Sequence, residues 1–139
     1  DPLQPLAGLR AAALDGAIVE PVRFERVRTL AELDDRLKAA GRPAMLDFYA
    51  DWCVSCKEME RYTFSDPQVR AKFGGMLLLQ ADVTANNAED KALLKRFRLF
   101  GPPGIIFFDS SGREIEGLRV VGYQPAKSFL KTLERAQSF

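Results

Sequence analysis

Residues 44 to 60 read Ala44-Met-Leu-Asp-Phe-Tyr-Ala-Asp-Trp-Cys-Val-Ser-Cys-Lys-Glu-Met-Glu60, and they decide the fold. The first seven form an almost unbroken apolar run opened by Pro43, the pattern of a strand covered on both faces in the middle of a sheet. Asp47 interrupts it, an acid where burial of charge is costly. The second half changes period: Cys53 stands at a strand-to-helix junction and Cys56 three residues on, in the first helical turn. There the two sulfurs are close enough to close a small disulfide ring.

Outward from this stretch, apolar runs alternate with helical patterns. Upstream, Phe24 to Arg28 predicts a short edge strand, and Thr29 followed by Glu32 is a capping-box signature. Leu30, Leu33 and Leu37 then recur at helical spacing until Gly41 stops the run. Downstream, Ser65 is expected to cap a short helix through Phe73 that Gly74-Gly75 ends. Met76 to Ala81 is a second continuous apolar strand, broken only by Gln80. Asn86 or Asn87 starts a helix with Leu93, Leu94 and Phe97 inward, and Gly101-Pro-Pro-Gly104 precedes the strand Ile105 to Phe108. A turn at Asp109 to Gly112, a strand over Ile115 to Val121 and a helix over Pro125 to Gln137 complete the order. These elements make an α/β layer fold with covered parallel strands and an antiparallel hairpin at one side. Residues 1–22 hold three of the eight prolines and read as a lead-in or interdomain linker whose alanines form a turn or two of helix. One domain is expected over 23–139.

Composition narrows the chemistry. The chain has 139 residues, 47% hydrophobic and 28% charged, enough for one core and one reaction centre. Twenty Lys and Arg against nineteen Asp and Glu leave a net charge of +1, without a basic block to hold nucleic acid or an anionic membrane. The absence of histidine removes imidazole acid-base chemistry and His-based zinc sites. No run reaches the roughly 18 apolar residues a bilayer span needs. No phosphate loop is present, so nucleotide use has no motif behind it. The chain starts at Asp1 without Met or a signal pattern, and so reads as a mature or excised fragment.

The two cysteines cannot staple distant loops and are too few for a structural metal site. At a helix N-terminus, free backbone N–H groups and the dipole favour a thiolate. Cys53 is therefore the expected nucleophile toward a disulfide sulfur, facing solvent, with Cys56 behind it to resolve the mixed disulfide. Asp47, six residues before Cys53, and Glu60, four after Cys56, are positioned to reach the region behind the dithiol. As partly buried carboxylates they would oppose thiolate formation and move the Cys56 proton through water. Asp47 can instead be a backbone-bonded polar residue, and Glu60 a solvated helical acid. Trp52 is either a docking rim or a cap on the core. Phe100 and Tyr123 are rim candidates with ordinary packing as the alternative, and a cis proline at Pro102 or Pro103 would bring backbone close to the first cysteine.

Leu46-Asp-Phe-Tyr-Ala-Asp-Trp-Cys-Val-Ser-Cys-Lys57 resembles the thioredoxin fold, a central mixed sheet covered by helices on both faces. Its continuation through Glu58-Met-Glu-Arg-Tyr-Thr-Phe-Ser-Asp-Pro67 is similar to the C-terminal periplasmic domains of the bacterial thiol:disulfide interchange protein DsbD family. Leu79-Gln-Ala-Asp-Val-Thr-Ala-Asn-Asn87 and Leu93-Leu-Lys-Arg-Phe97 fit the same pattern, so the resemblance covers about residues 22–137. It implies a protein-disulfide reductase module of the bacterial inner membrane's periplasmic side, with no cofactor and no metal. A membrane-embedded domain would supply electrons, and an N-terminal periplasmic domain would receive them. That domain would serve disulfide isomerases and the thiol proteins of cytochrome c maturation.

By position, the resemblance makes Cys53 the nucleophile, Cys56 its resolving partner, Asp47 and Glu60 the tuning acids, and Pro103 the cis residue of the Pro102–Pro103 bond. Trp52, Phe100, Pro102, Pro103 and Gly104 become the partner groove. Two departures stand out. Gly104 replaces a common threonine, which predicts a lost groove contact and a looser loop, and Ser55 stands where relatives often carry a smaller apolar residue. The alternatives are a free-standing or tethered thioredoxin-like reductase for cytochrome c maturation, and a thioredoxin-fold binding module without redox turnover.

Overall fold

The computed structural model describes residues 22–139. The lead-in expected over 1–22, with its alanine turns, lies outside them apart from Val22. The described elements run β1 (Glu25–Arg26), α1 (Leu30–Ala40), β2 (Ala44–Tyr49), α2 (Val54–Glu58), a π-helical segment (Met59–Phe64) and α3 (Pro67–Phe73). Then come β3 (Leu77–Asp82), α4 (Ala88–Arg96), β4 (Gly104–Phe108), β5 (Val120–Val121) and α5 (Ala126–Ala136).

The sheet order is β1-β3-β2-β4-β5, with β2 at the centre. β3 runs parallel to β1 and β2, while β4 runs antiparallel to β2 and β5 antiparallel to β4. All six residues of β2 are buried, as its continuous apolar pattern requires. Alternation sends Leu46 and Phe48 to one face, against Leu33 and Leu37 of α1 and Leu93 and Leu94 of α4. Met45 goes to the other, where Ile105 and Phe107 of β4 meet Val69 and Phe73 of α3 and Phe129 and Leu133 of α5. The fold is the thioredoxin-like α/β layering expected, a mixed sheet with helices on both faces.

Local signals explain most boundaries. Thr29 caps α1 by accepting from Glu32 N at 3.1 Å, Glu32 reaches back to Arg28 N at 2.6 Å, and Gly41 ends the helix at φ +63°, where a residue without Cβ is unstrained. Of the two asparagines, Asn87 is the cap of α4: it accepts from Asp90 N at 2.8 Å, and Asp90 accepts in return from Asn87 N at 3.2 Å.

Several expectations are corrected. Asp66, not Ser65, caps α3, because its carboxylate reaches both Gln68 N and Val69 N, while Ser65 donates to Arg61 O and closes the preceding segment. The strand expected over Ile115 to Val121 contracts to two residues. A turn at Glu116-Gly117, with Gly117 at φ +85°, breaks it, leaving Glu114 on an isolated bridge to Phe108. The edge strand likewise shortens to Glu25–Arg26, and β3 starts one residue later than its apolar run. The chain after the dithiol is not one α-helix: from Met59 it widens into π geometry. The hydroxyl of fully buried Thr63 donates to Gln124 O at 2.6 Å, and Gln124 N donates to Met59 Sδ at 3.3 Å, tying this segment to the loop before α5.

Candidate redox-active site

β2 ends at Tyr49, and the turn at Ala50–Trp52 delivers Cys53 to the N-cap of α2. Cys53 N donates to Ala50 O at 3.1 Å, and Lys57 N donates to Cys53 O at 3.2 Å. The sulfurs of Cys53 and Cys56 are bonded, with Cα atoms 5.2 Å apart. Cys53 Sγ also accepts from Cys56 N at 3.1 Å, the helix-start amide that a thiolate at this position would keep. Cys56 Sγ lies 3.8 Å from Phe48 O, turned toward the sheet.

The expected contrast of an exposed first cysteine and a buried second one is absent in the disulfide form. Cys53 is 6% exposed and Cys56 4%. What separates them is setting: Cys53 sits between exposed Trp52 and Val54, whereas Cys56 faces backbone of the central strand.

On the central strand that leads to the disulfide, Asp47 is buried and takes a hydrogen bond from Gln80 Nε2 at 3.1 Å. Asp47 and Gln80 are register partners on β2 and β3, so the two polar interruptions of the apolar strands answer each other. Burial pushes the Asp47 carboxyl up to about 7, against the smaller opposing effect of the Gln80 bond, and the Glu60 charge adds to the rise. Glu60 is not buried like Asp47. It is exposed on the π segment, its own pKa raised by desolvation and by Asp51, and drawn back by Lys57. The expected pair of partly buried acids is thus one buried acid sensing a second, exposed one.

A network that sequence patterns did not reveal links these groups to the surface. Lys57 Nζ donates to Tyr49 Oη at 2.5 Å, and Tyr49 Oη donates to Asp51 Oδ1 at 3.1 Å. The signal was available in outline, since Lys57 lies four residues after Cys53 on the same helix, but its meeting with the end of β2 is tertiary.

On the rim, Trp52 is 59% exposed and donates from Nε1 to Thr84 O at 3.1 Å, so it does not cap the core. Thr84 also accepts from Asp51 N at 2.9 Å, fixing the turn before Cys53. Phe100 is fully exposed, and Tyr123 is exposed as well, which sets aside ordinary packing for both. The Pro102–Pro103 bond is cis, and Pro103 O accepts from Gly122 N at 3.3 Å.

Gly104 stands at the start of a strand. It is buried as the first residue of β4 and paired with both Phe48 and Val121. A Cβ there would come within 2.9 Å of Leu99 Cδ1, so the Leu99 side chain occupies the space a larger residue would need.

No helix among the described residues is long and apolar enough to cross a membrane, and no cluster of three or more metal-ligating side chains occurs among them.

Comparison with known proteins agrees with this geometry. A thioredoxin-like domain family model matches residues 30–137. The thiol:disulfide interchange protein DsbD of Ralstonia nicotianae is 58% identical over 140 residues, covering 98% of this chain and 23% of that protein. Its Yersinia pestis counterpart is 53% identical over 117 residues, covering 84% of the chain and 20% of the relative. The chain therefore spans about a quarter or less of the length of these relatives and matches one domain of a larger, multidomain protein. The crystal structure of the oxidised Neisseria meningitidis DsbD C-terminal domain superposes with a TM-score of 0.64 at 38% identity, covering 91% of this chain and 95% of that one. With the bonded Cys53–Cys56 pair at a helix start, these likenesses show that the chain belongs to the thioredoxin-like C-terminal domains of the DsbD family and is a thiol-disulfide oxidoreductase.

Proposed function

We propose that this domain, placed at residues 23–139 with 1–22 as a linker, relays electrons on the periplasmic side of a bacterial inner membrane. It receives them from a membrane-embedded domain and passes them to an N-terminal periplasmic domain, supporting disulfide isomerisation and cytochrome c maturation. The observation that carries this is a helix-capping Cys53 bonded to Cys56 at the end of a central strand that holds the buried Asp47, in a chain of this family.

In the reduced domain, the Cys53 thiolate attacks one sulfur of the partner disulfide. The partner's S–S bond breaks, its leaving thiolate takes a proton, and a Cys53–partner bond forms. Cys56, deprotonated toward Asp47, then attacks Cys53 Sγ. This closes the Cys53–Cys56 disulfide and frees the second partner thiol. Two electrons and two protons have passed to the partner. A carboxyl near 7 both accepts and returns a proton at neutral pH, which suits a relay that must run through oxidised and reduced forms. Trp52, Phe100, Pro102, Pro103 and the Gly104 backbone line the edge where the partner chain lies.

A Cys56→Ser variant should accumulate a mixed disulfide with the family's N-terminal domain through Cys53, and Cys53→Ser should not. Mass mapping of the partner to Cys56 in the unsubstituted protein would reverse the order. Stopped-flow transfer to the N-terminal domain should far outpace transfer to unrelated oxidised proteins, and equal rates would contradict the relay.

A further inference from the structure

Beside the redox edge, the C-terminal half of α4 and the chain after it enclose an open hollow of about 410 Å³. Leu94, Leu99 and Phe100 give it an apolar floor and wall, and Lys91, Lys95 and Arg98 stand around it. The remaining lining residue is the uncharged Asn86, so no acidic side chain lines the hollow. The three cations are exposed and make no ion pair among the described residues; Lys91 and Lys95 share one face of α4 by their spacing, and Arg98 follows in the turn after the helix. Arg26, Arg36, Arg96 and Arg119, by contrast, are each paired to a carboxylate. A local excess of three positive charges is a departure in a chain whose net charge is only +1.

The hollow is continuous with the dithiol edge on two sides. Asn86 follows by two residues the Thr84 that holds Asp51 and Trp52. Phe100 begins the loop that ends three residues later at the cis Pro103, and Leu99 fills the space beside Gly104.

We infer that this hollow is a docking subsite for an acidic segment flanking the reactive cysteine of the partner protein, with one apolar or aromatic side chain of that segment placed against Leu94, Leu99 and Phe100. The inference rests on the proposal that Cys53 is the attacking sulfur. The charge pattern selects the ligand: carboxylates satisfy Lys91, Lys95 and Arg98, while a ring covers the otherwise solvent-facing Phe100. Because the rest of the surface is balanced, the attraction acts at close range, and it orients the partner's disulfide more than it steers from afar.

The test uses two synthetic peptides carrying one cysteine as its 2-pyridyl disulfide, flanked by a Phe and by three Glu in one and three Gln in the other. The fully reduced protein should react with the Glu peptide about tenfold faster than with its Gln twin at low ionic strength, read from released thiopyridone. High salt should erase the difference. So should Lys91→Gln/Lys95→Gln/Arg98→Gln, in which the two helical positions, 91 and 95, keep good helix formers. The charge-matched Lys127→Gln/Lys131→Gln/Arg135→Gln on α5 should leave the preference intact. Phe100→Ser should slow both peptides but not versions with Ala in place of Phe. Equal rates for the two peptides, a preference that survives the α4 substitutions, or one lost equally in the α5 control would overturn the subsite. Failure of the underlying proposal looks different: Cys53→Ser would then still react with both peptides.

Discussion

Replacing Asp47 by asparagine should stabilise the oxidised protein increasingly as pH rises from the ordinary carboxyl value of 3.8 to about 7, by a constant amount above that, and hardly at all below it. The carboxyl titrates near 7 in the fold against 3.8 for an ordinary Asp, chiefly because burial disfavours its charged form. The folded state thus holds a proton that the unfolded state releases between these two values. In that window the native protein binds more protons than the unfolded one, so stability falls as pH rises. Below the lower value both states are protonated and nothing is lost; above the upper value both are ionised and the deficit is constant. A rise from 3.8 to about 7 corresponds to about 4 kcal/mol, a sizeable share of the roughly 5–15 kcal/mol that holds a domain of this size together. The asparagine side chain fills the same volume, keeps an oxygen to accept from Gln80 and carries no charge. Urea unfolding of both proteins with the disulfide closed, at several pH values from about 4 to about 9, should give stabilities that nearly coincide at the acid end, separate in favour of the variant as pH rises to about 7, and keep a constant gap above it. Parallel profiles, or a variant less stable at high pH than in acid relative to the parent, would refute burial as the cause of the raised carboxyl.

Four further outcomes follow from the same geometry. Glu60→Gln removes a negative charge facing Asp47 and should move the Asp47 titration, followed by carboxyl NMR, to lower pH, by less than burial raised it. Either acid substitution should speed alkylation of the reduced dithiol at neutral pH, through loss of like-charge repulsion on the forming thiolate. Gly104→Thr places atoms where Leu99 Cδ1 now lies and should cost about 1–3 kcal/mol in urea unfolding, a cost that Leu99→Ala relieves. Thr63→Val leaves Gln124 O without its buried donor and should cost about 1–3 kcal/mol; because that bond ties the π segment to the loop beside the cis proline, the variant should also slow reduction of a protein disulfide.

The sequence by itself determined the layers, the central position of β2, the placement of the two cysteines at a helix start and the acid inside the central strand. Each of these rests on short-range patterns: a continuous apolar run, a change of period from strand to helix, and a charge inside a strand. It also showed Gln80 as an interruption of β3, but only the register of β3 against β2 makes Gln80 the partner of Asp47. Tertiary structure alone decided the rest. The π widening after Met59 depends on a bond from Thr63 to Gln124, sixty-one residues away, so no local pattern could reveal it. The similar burial of Cys53 and Cys56 is likewise a property of the packed tertiary structure. The strand expected after Asp109 shrank because a left-handed glycine at 117 outweighed the apolar residues around it. The consequence of Gly104 likewise depended on which side chain fills the space it leaves, and Leu99 reaches that space only because the loop after α4 folds back to the start of β4.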